Sequence, residues 1–302
     1  MKNSRAKLLM IFASMIWGSS FVVGRWAIAF VDPIPLAFWE NVFGFIILLA
    51  ALMLKRKGNL IDLLRDIFSR REIIVLGVLN GLAYALQYIS LSLTTAINSS
   101  LLVNLGISTL VPLFAHIMST ERITKRKILA LILGLIGAGL ISTGGDLSTL
   151  AEGRILGDML ALSVGACWAV WIVVADSALE NVEGPLEVAA PNAGFTVLIL
   201  GLTTALMGGL TNSIILGTET VFSIIYLGVF SIGLAYLFYY EALKDMGGTA
   251  SALYLLLQAA VTMSLGVLLL NENLTPILVF GAMLIMIAIV FVEDKEQKEF
   301  DQ

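Results

Sequence analysis

Four tyrosines stand in two pairs at helical spacing inside long apolar stretches, Tyr84 with Tyr88 and Tyr236 with Tyr240. Each pair carries one more polar or aromatic residue, Gln87 or Tyr239, just before its second tyrosine. Residues four apart share a helix face, so each stretch presents an aromatic stripe with a hydroxyl or amide edge. Trp17, Ser19 and Ser20 extend the set in an earlier stretch, and Trp168 and Trp171 in a later one. Asn98, Ser99, Ser100 and Asn104, then Ser251, Tyr254 and Gln258, occupy two more. Aromatic faces with a few amides and hydroxyls suit a cavity for a mostly apolar or zwitterionic small molecule. The same residue types also glue helices together and form interfacial belts, and residue by residue the two readings are evenly matched. Symmetric placement favours the cavity for Tyr84, Tyr88, Tyr236 and Tyr240. The candidate lining is thus Trp17, Ser20, Tyr84, Gln87, Tyr88, Asn104, Trp168, Trp171, Tyr236, Tyr239, Tyr240, Tyr254 and Gln258.

Two charges also lie within apolar stretches. Arg25 and Glu40 each sit about five residues from the same side, roughly 7–8 Å deep at 1.5 Å per residue. An ion pair between them, as a staple or as part of a gate, is the natural solution. Asp158, Glu219 and Glu241 lie near the ends of apolar stretches, where snorkelling accounts for them, and none is singled out as a proton carrier. The one histidine, His116, and the one cysteine, Cys167, supply neither a metal site nor a nucleophile with its base, so an enzyme is not expected. No Walker A sequence is present, which argues against direct ATP drive, and no cofactor is implied.

The elements that position these residues follow from composition. The chain of 302 residues is 59% hydrophobic and 13% charged, with a mean hydropathy of +0.96. That is far too apolar for one water-soluble core, and lipid is the expected solvent. Ten spans are expected at about 8–30, 35–54, 73–93, 96–118, 127–144, 155–177, 187–209, 219–243, 248–270 and 275–292. The first resembles a signal peptide behind Lys2, Arg5 and Lys7, but its length and Arg25 mark it as a span. Residues 55–72 could hold an amphipathic helix. Of the 18 lysines and arginines, all but Arg25 and Arg154 fall on one side if the N-terminus is cytoplasmic. The positive-inside rule therefore places both termini in the cytoplasm and the protein in the cell membrane. The small residues Ala130, Gly134 and Ala138 suit close helix packing rather than a site.

The chain also repeats itself. Gly81-Leu82-Ala83-Tyr84 recurs as Gly233-Leu234-Ala235-Tyr236, and Glu121-Arg122-Ile123-Thr124 is echoed by Glu272-Asn273-Leu274-Thr275. Half a chain with five spans must enter the membrane upside down relative to the other half. The expected fold class is an all-α membrane protein, ten transmembrane helices as two inverted five-helix repeats around a central cavity. The repeats are expected at residues 1–145 and 154–293, with a cytoplasmic tail at 294–302.

Trp17-Gly18-Ser19-Ser20-Phe21, the aromatic Gly81-to-Tyr88 segment, Pro112 and the Glu-x-Ile/Leu-Thr step closing the fourth and ninth spans together resemble the EamA-type family of the drug/metabolite transporter superfamily. The resemblance covers nearly the whole chain. It implies a cavity formed by the first, third, fourth, sixth, eighth and ninth spans, and export of small metabolites such as amino acids by alternating access. Two departures stand out: Glu40 occupies a position where the family often has a basic residue, and Asn271-Glu272-Asn273 replaces a Gly-Glu step. The implied partners are a small-molecule substrate and the bilayer, without nucleic acid, and a proton gradient is a candidate drive. A channel-like permeation pathway is the alternative, with an intramembrane enzyme behind it. Substrate and oligomeric state are not legible.

Overall fold

The computed structural model describes residues 2–56, 70–118, 154–180, 182–207 and 217–293, with a few helical residues between 129 and 140. Among them there are helices and turns and no strand. This follows from lipid as solvent, because a helix satisfies its backbone N–H and C=O groups within itself. The helices are α1 (Lys2–Ala27), α2 (Pro33–Arg56), α3 (Arg71–Leu93), α4 (Ala96–Met118), α5 (Arg154–Glu180), α6 (Leu186–Leu206), α7 (Thr218–Met246), α8 (Gly248–Tyr254), α9 (Leu256–Leu270) and α10 (Pro276–Glu293). Six of these, α1, α2, α3, α5, α6 and α7, are long and apolar enough to cross a membrane. Outward-facing Leu54, Leu206 and Leu268 are 81%, 80% and 73% exposed, a surface that only lipid would solvate. The expected span at 127–144 and the expected amphipathic helix at 55–72 lie almost wholly outside the described residues, as do Ala130 and Ala138.

The helix ends follow their local chemistry. Pro33 and Pro276 open α2 and α10 at the first helical position, where the missing N–H costs nothing. The hydroxyls of Thr95 and Thr275 accept from the N–H groups of Asn98 and Leu278, capping α4 and α10. Gly247 (φ 77°) ends α7 and Asn271 (φ 54°) ends α9, both at positive φ where glycine or asparagine is favoured.

Two helices are irregular. The centre of α7, Leu227–Leu234, is π-helical. The span expected at 248–270 is divided at Leu255 into α8 and α9.

Packing joins the first half of the chain to the second. Helix α1 lies against α7 and α9, and α5 lies against α3 and α4. Helix α2 packs on the π-helical part of α7, α6 packs on α3, and α2 and α6 pack on each other. Exchanging α1 with α5, α2 with α6, α3 with α7 and α4 with α8–α9 leaves this pattern unchanged.

The bundle has two ends, marked by polar contacts. At one, Arg5 meets Glu241 at 3.5 Å, and Lys244 donates to the carbonyls of Val182 and Glu183. At the other, Thr94 donates to Asp158 at 2.6 Å, and the Glu272 carboxylate accepts from the N–H groups of Ala96 and Ile97 at 2.7 and 3.0 Å. Helix α1 thus starts at the first end and α5 at the second, while α3 finishes at the second and α7 at the first. Counterparts in the exchange run in opposite directions.

Candidate functional site

A cavity of about 540 Å³ lies where α1, α3, α5, α7 and α9 converge, with α2 and α4 completing its wall. Helix α1 contributes Trp17, Ser20 and Phe21, and α3 contributes Tyr84, Gln87 and Tyr88. From the second half come Trp168, Trp171 and Ile172 of α5, and Ser231, Tyr236 and Tyr239 of α7. Leu255 at the helix break and Gln258 of α9 close one side, and Glu40 and Ile107 are single contributions from α2 and α4.

The wall is built by aromatic contacts that cross between the halves. Trp17 meets Tyr236 edge to face, centroids 5.6 Å apart at 79°, and Trp168 meets Tyr84 at 5.9 Å and 81°. These two contacts are counterparts in the exchange of halves. The hydroxyls of Tyr84 and Tyr236, equivalent residues of the repeated segment, lie 3.3 Å apart, as residues beside a two-fold axis would. Trp171 stacks on both Tyr236 and Tyr239 at 25° and 29°. Edge-to-face and offset pairs of this kind each add about 0.5–1.5 kcal/mol beyond area burial.

Polar groups hold the rings in place. Trp17 Nε1 donates to the carbonyl of Ser231 at 2.9 Å, inside the π-helical turn of α7. The wider π-turn shifts carbonyls out of the regular i→i−4 ladder, and it occurs mostly at functional sites. On the other side Trp168 Nε1 donates to Oδ1 of Asn80 at 3.2 Å, and Asn80 Nδ2 donates to the Tyr236 hydroxyl at 2.8 Å and to Thr196 Oγ1 at 3.1 Å. Asn80 is fully buried and ties α3 to α5, α6 and α7. Sequence reasoning passed over it, although it stands four residues before Tyr84 on the stripe that continues to Tyr88.

The expected lining residues do not all reach the cavity. Trp17, Ser20, Tyr84, Gln87, Tyr88, Trp168, Trp171, Tyr236, Tyr239 and Gln258 come together on its wall. Tyr240 does not: it is fully buried behind Trp171, edge to face at 5.5 Å. Asn104 is buried with its amide donating to the carbonyl of Ser100, and Ile107, one turn on, faces the cavity instead. Tyr254 is half-buried at the end of α8, and the break turns Leu255 inward in its place. Phe21, Ile107, Ile172 and Leu255 were missed because an apolar residue in an apolar span carries no distinguishing signal. The carbonyl geometry that recruits Ser231 is equally invisible in sequence.

The expected Arg25–Glu40 ion pair is not formed. Glu40 Oε2 accepts from the Tyr88 hydroxyl, and the described ion pair of the chain is Arg5 with Glu241. The reason is the phase of α1. Gly24 presents its face to Tyr88, a Cβ there lying 3.0 Å from the ring, so Arg25 points about 100° away around the helix. Of the other carboxylates, Asp158 accepts from Thr94 and Glu219 is exposed. Cys167 is half-buried against the core, the described part of α4 around His116 excludes that side chain, and no metal-binding cluster occurs among the described residues.

A model of the EamA-like transporter family matches residues 4–143 and residues 155–293. The chain belongs to the EamA-like transporter family. Similar proteins include an uncharacterized transporter of Archaeoglobus fulgidus, 29% identical, the alignment covering 90% of this chain and 91% of that one. The uncharacterized transporter YyaM of Bacillus subtilis is 24% identical over 96% of this chain and 94% of its own. A protein of known crystal structure superposes with a TM-score of 0.66 at 18% identity over 96% of both chains, which shows the shared fold. Membership makes this a membrane transporter rather than an enzyme, working on a small molecule.

Proposed function

We propose that this transporter is a secondary-active exporter of small metabolites such as amino acids, which works by alternating access between two inverted five-helix repeats, residues 1–145 and 154–293. The observation that carries the reading is the interchange of contacts around the cavity. Trp17 rests on Tyr236 as Trp168 rests on Tyr84, while their helices run in opposite directions. Inverted halves of this kind can exchange conformations, which turns a cavity open to one face into a cavity open to the other. The lysine and arginine distribution supports both termini in the cytoplasm of the cell membrane, and Arg5, Glu241 and Lys244 gather at the same end. Glu40, the one carboxyl on the described cavity wall, is where a proton gradient would act.

The test uses the single cysteine. Cys167→Ser gives a background free of thiols, into which Ser20→Cys and Gln258→Cys are introduced one at a time. In oriented vesicles a membrane-impermeant maleimide is expected to label each new thiol from both faces. Labelling from one face only would end the alternating-access reading. Trans-stimulated counterflow of a labelled mixture of amino acids and other small metabolites in proteoliposomes is expected alongside, and flux without trans-stimulation would mark a channel.

A further inference from the structure

Three buried side-chain atoms without a hydrogen-bond partner belong to residues that line the cavity: Oε1 of Glu40, Oε1 of Gln87 and the hydroxyl of Tyr239. The first two can only accept from a donor or face a positive charge while Glu40 is ionised. Glu40 is 1% exposed, its Oε2 accepts from the Tyr88 hydroxyl, and its Oε1 is enclosed beside the cavity lining without a hydrogen-bond partner. The titratable groups acting on it are Tyr84 and Tyr88 of α3 and Tyr236 of α7, all phenols. No lysine, arginine or histidine stands among the described residues of the lining. The remaining wall is rich in aromatic rings, from Trp17, Trp168, Trp171 and Tyr236. The faces of such rings carry negative potential and attract cations, most strongly where water is excluded.

A carboxylate or phosphate in this cavity would bring its charge against another carboxyl and the negative ring faces, with no basic partner, at high desolvation cost. A positive nitrogen on an apolar body meets a carboxyl, an unpartnered amide oxygen and aromatic rings instead. We infer that the cavity, taken as the transport site proposed above, selects organic cations with an aromatic or aliphatic body, with Glu40 as their counter-charge and Gln87 as an accessory acceptor. The inference rests on the alternating-access part of that reading and narrows its cargo from amino acids, which all carry a carboxylate, to amines that lack one; its binding chemistry rests on the cavity wall alone.

Purified protein is titrated with phenyltrimethylammonium, benzyl alcohol and benzoate, three probes of similar size carrying positive, zero and negative charge, with tryptophan emission as the readout. The cation is expected to bind at least tenfold more tightly than either of the others. Glu40→Gln is expected to lower affinity for the cation at least tenfold while leaving benzyl alcohol within twofold. Glu40→Asp retains the charge and is expected to preserve the ranking, which separates loss of charge from loss of fold. Equal or tighter binding of benzoate or benzyl alcohol, failure of all three to bind, or an unchanged ranking in Glu40→Gln would each overturn the cation class. Two-sided cysteine labelling is scored independently: labelling from both faces without cation preference sinks this inference and leaves alternating access standing, whereas one-sided labelling with cation preference does the reverse.

Discussion

Asn80 does the most with one side chain. It accepts from Trp168 and donates to Tyr236 and Thr196, all while fully buried. Asn80→Ala leaves those groups short of partners in a low-dielectric site, which costs about 1–3 kcal/mol. A lower melting temperature in detergent and weaker ligand stabilisation are the expected results, and an unchanged melting curve would show that the network carries no weight. Tyr240 is the opposite case. Its hydroxyl has no hydrogen-bond partner among the described residues, and its ring packs behind Trp171. Tyr240→Phe is expected to leave stability within about 0.5 kcal/mol and ligand binding intact, because no hydrogen bond is lost. A clear fall in ligand affinity would mean that Tyr240 reaches the substrate after all. Residue types located the aromatic stripe correctly, yet they did not distinguish Tyr239 from Tyr240, since one position on a helix turns a side chain by about 100°. The Arg25–Glu40 pairing failed for the same reason: equal depth on neighbouring helices says nothing about facing.

Among the elements, α4 and α5 cross with backbone against backbone. A Cβ on Gly165 would lie 2.5 Å from the carbonyl oxygen of Val103 and 2.8 Å from the Cα of Gly106. These neighbours are backbone, so they cannot rotate away. Gly165→Ala is expected to cost about 1–3 kcal/mol, read as a fall in melting temperature or in yield of folded protein, in line with other overpacked sites. No change would show that the two helices separate freely at this point. Long apolar runs and turn residues made the described spans legible to within a few residues. The π-helical stretch of α7 and the break at Leu255 were not legible, because neither carries a proline and the segments around them are apolar throughout. Only tertiary packing selects such irregularities, and single-sequence periodicity averages over them.

At the scale of the whole molecule, the described contacts of one half mirror those of the other. Trp17 anchors to Ser231 across one interface and Trp168 to Asn80 across the other. If the halves swap conformations during the cycle, the two anchors act on opposite gates. Trp17→Ala and Trp168→Ala are then expected to shift the two-sided labelling of Gln258→Cys in opposite directions, each by severalfold. A shift of the same sign in both would contradict the exchange. The short repeats Gly81–Tyr84 and Gly233–Tyr236 were enough to suggest this arrangement, because spacing by half a chain with five expected spans per half leaves little choice of sense.

The repeated segments diverge at one decisive place. The position in the second half that corresponds to Asn80 is Ile232, whose side chain has no acceptor to offer. If the halves exchange conformations as proposed, the clasp that Trp168 enjoys has no replica for Trp17 in the reversed arrangement. The two arrangements would then be unequal in energy, and a gap of about 1.4 kcal/mol already makes one tenfold more populated than the other. An empty carrier of this design would idle facing one compartment, a resting preference set by a single broken correspondence between its halves.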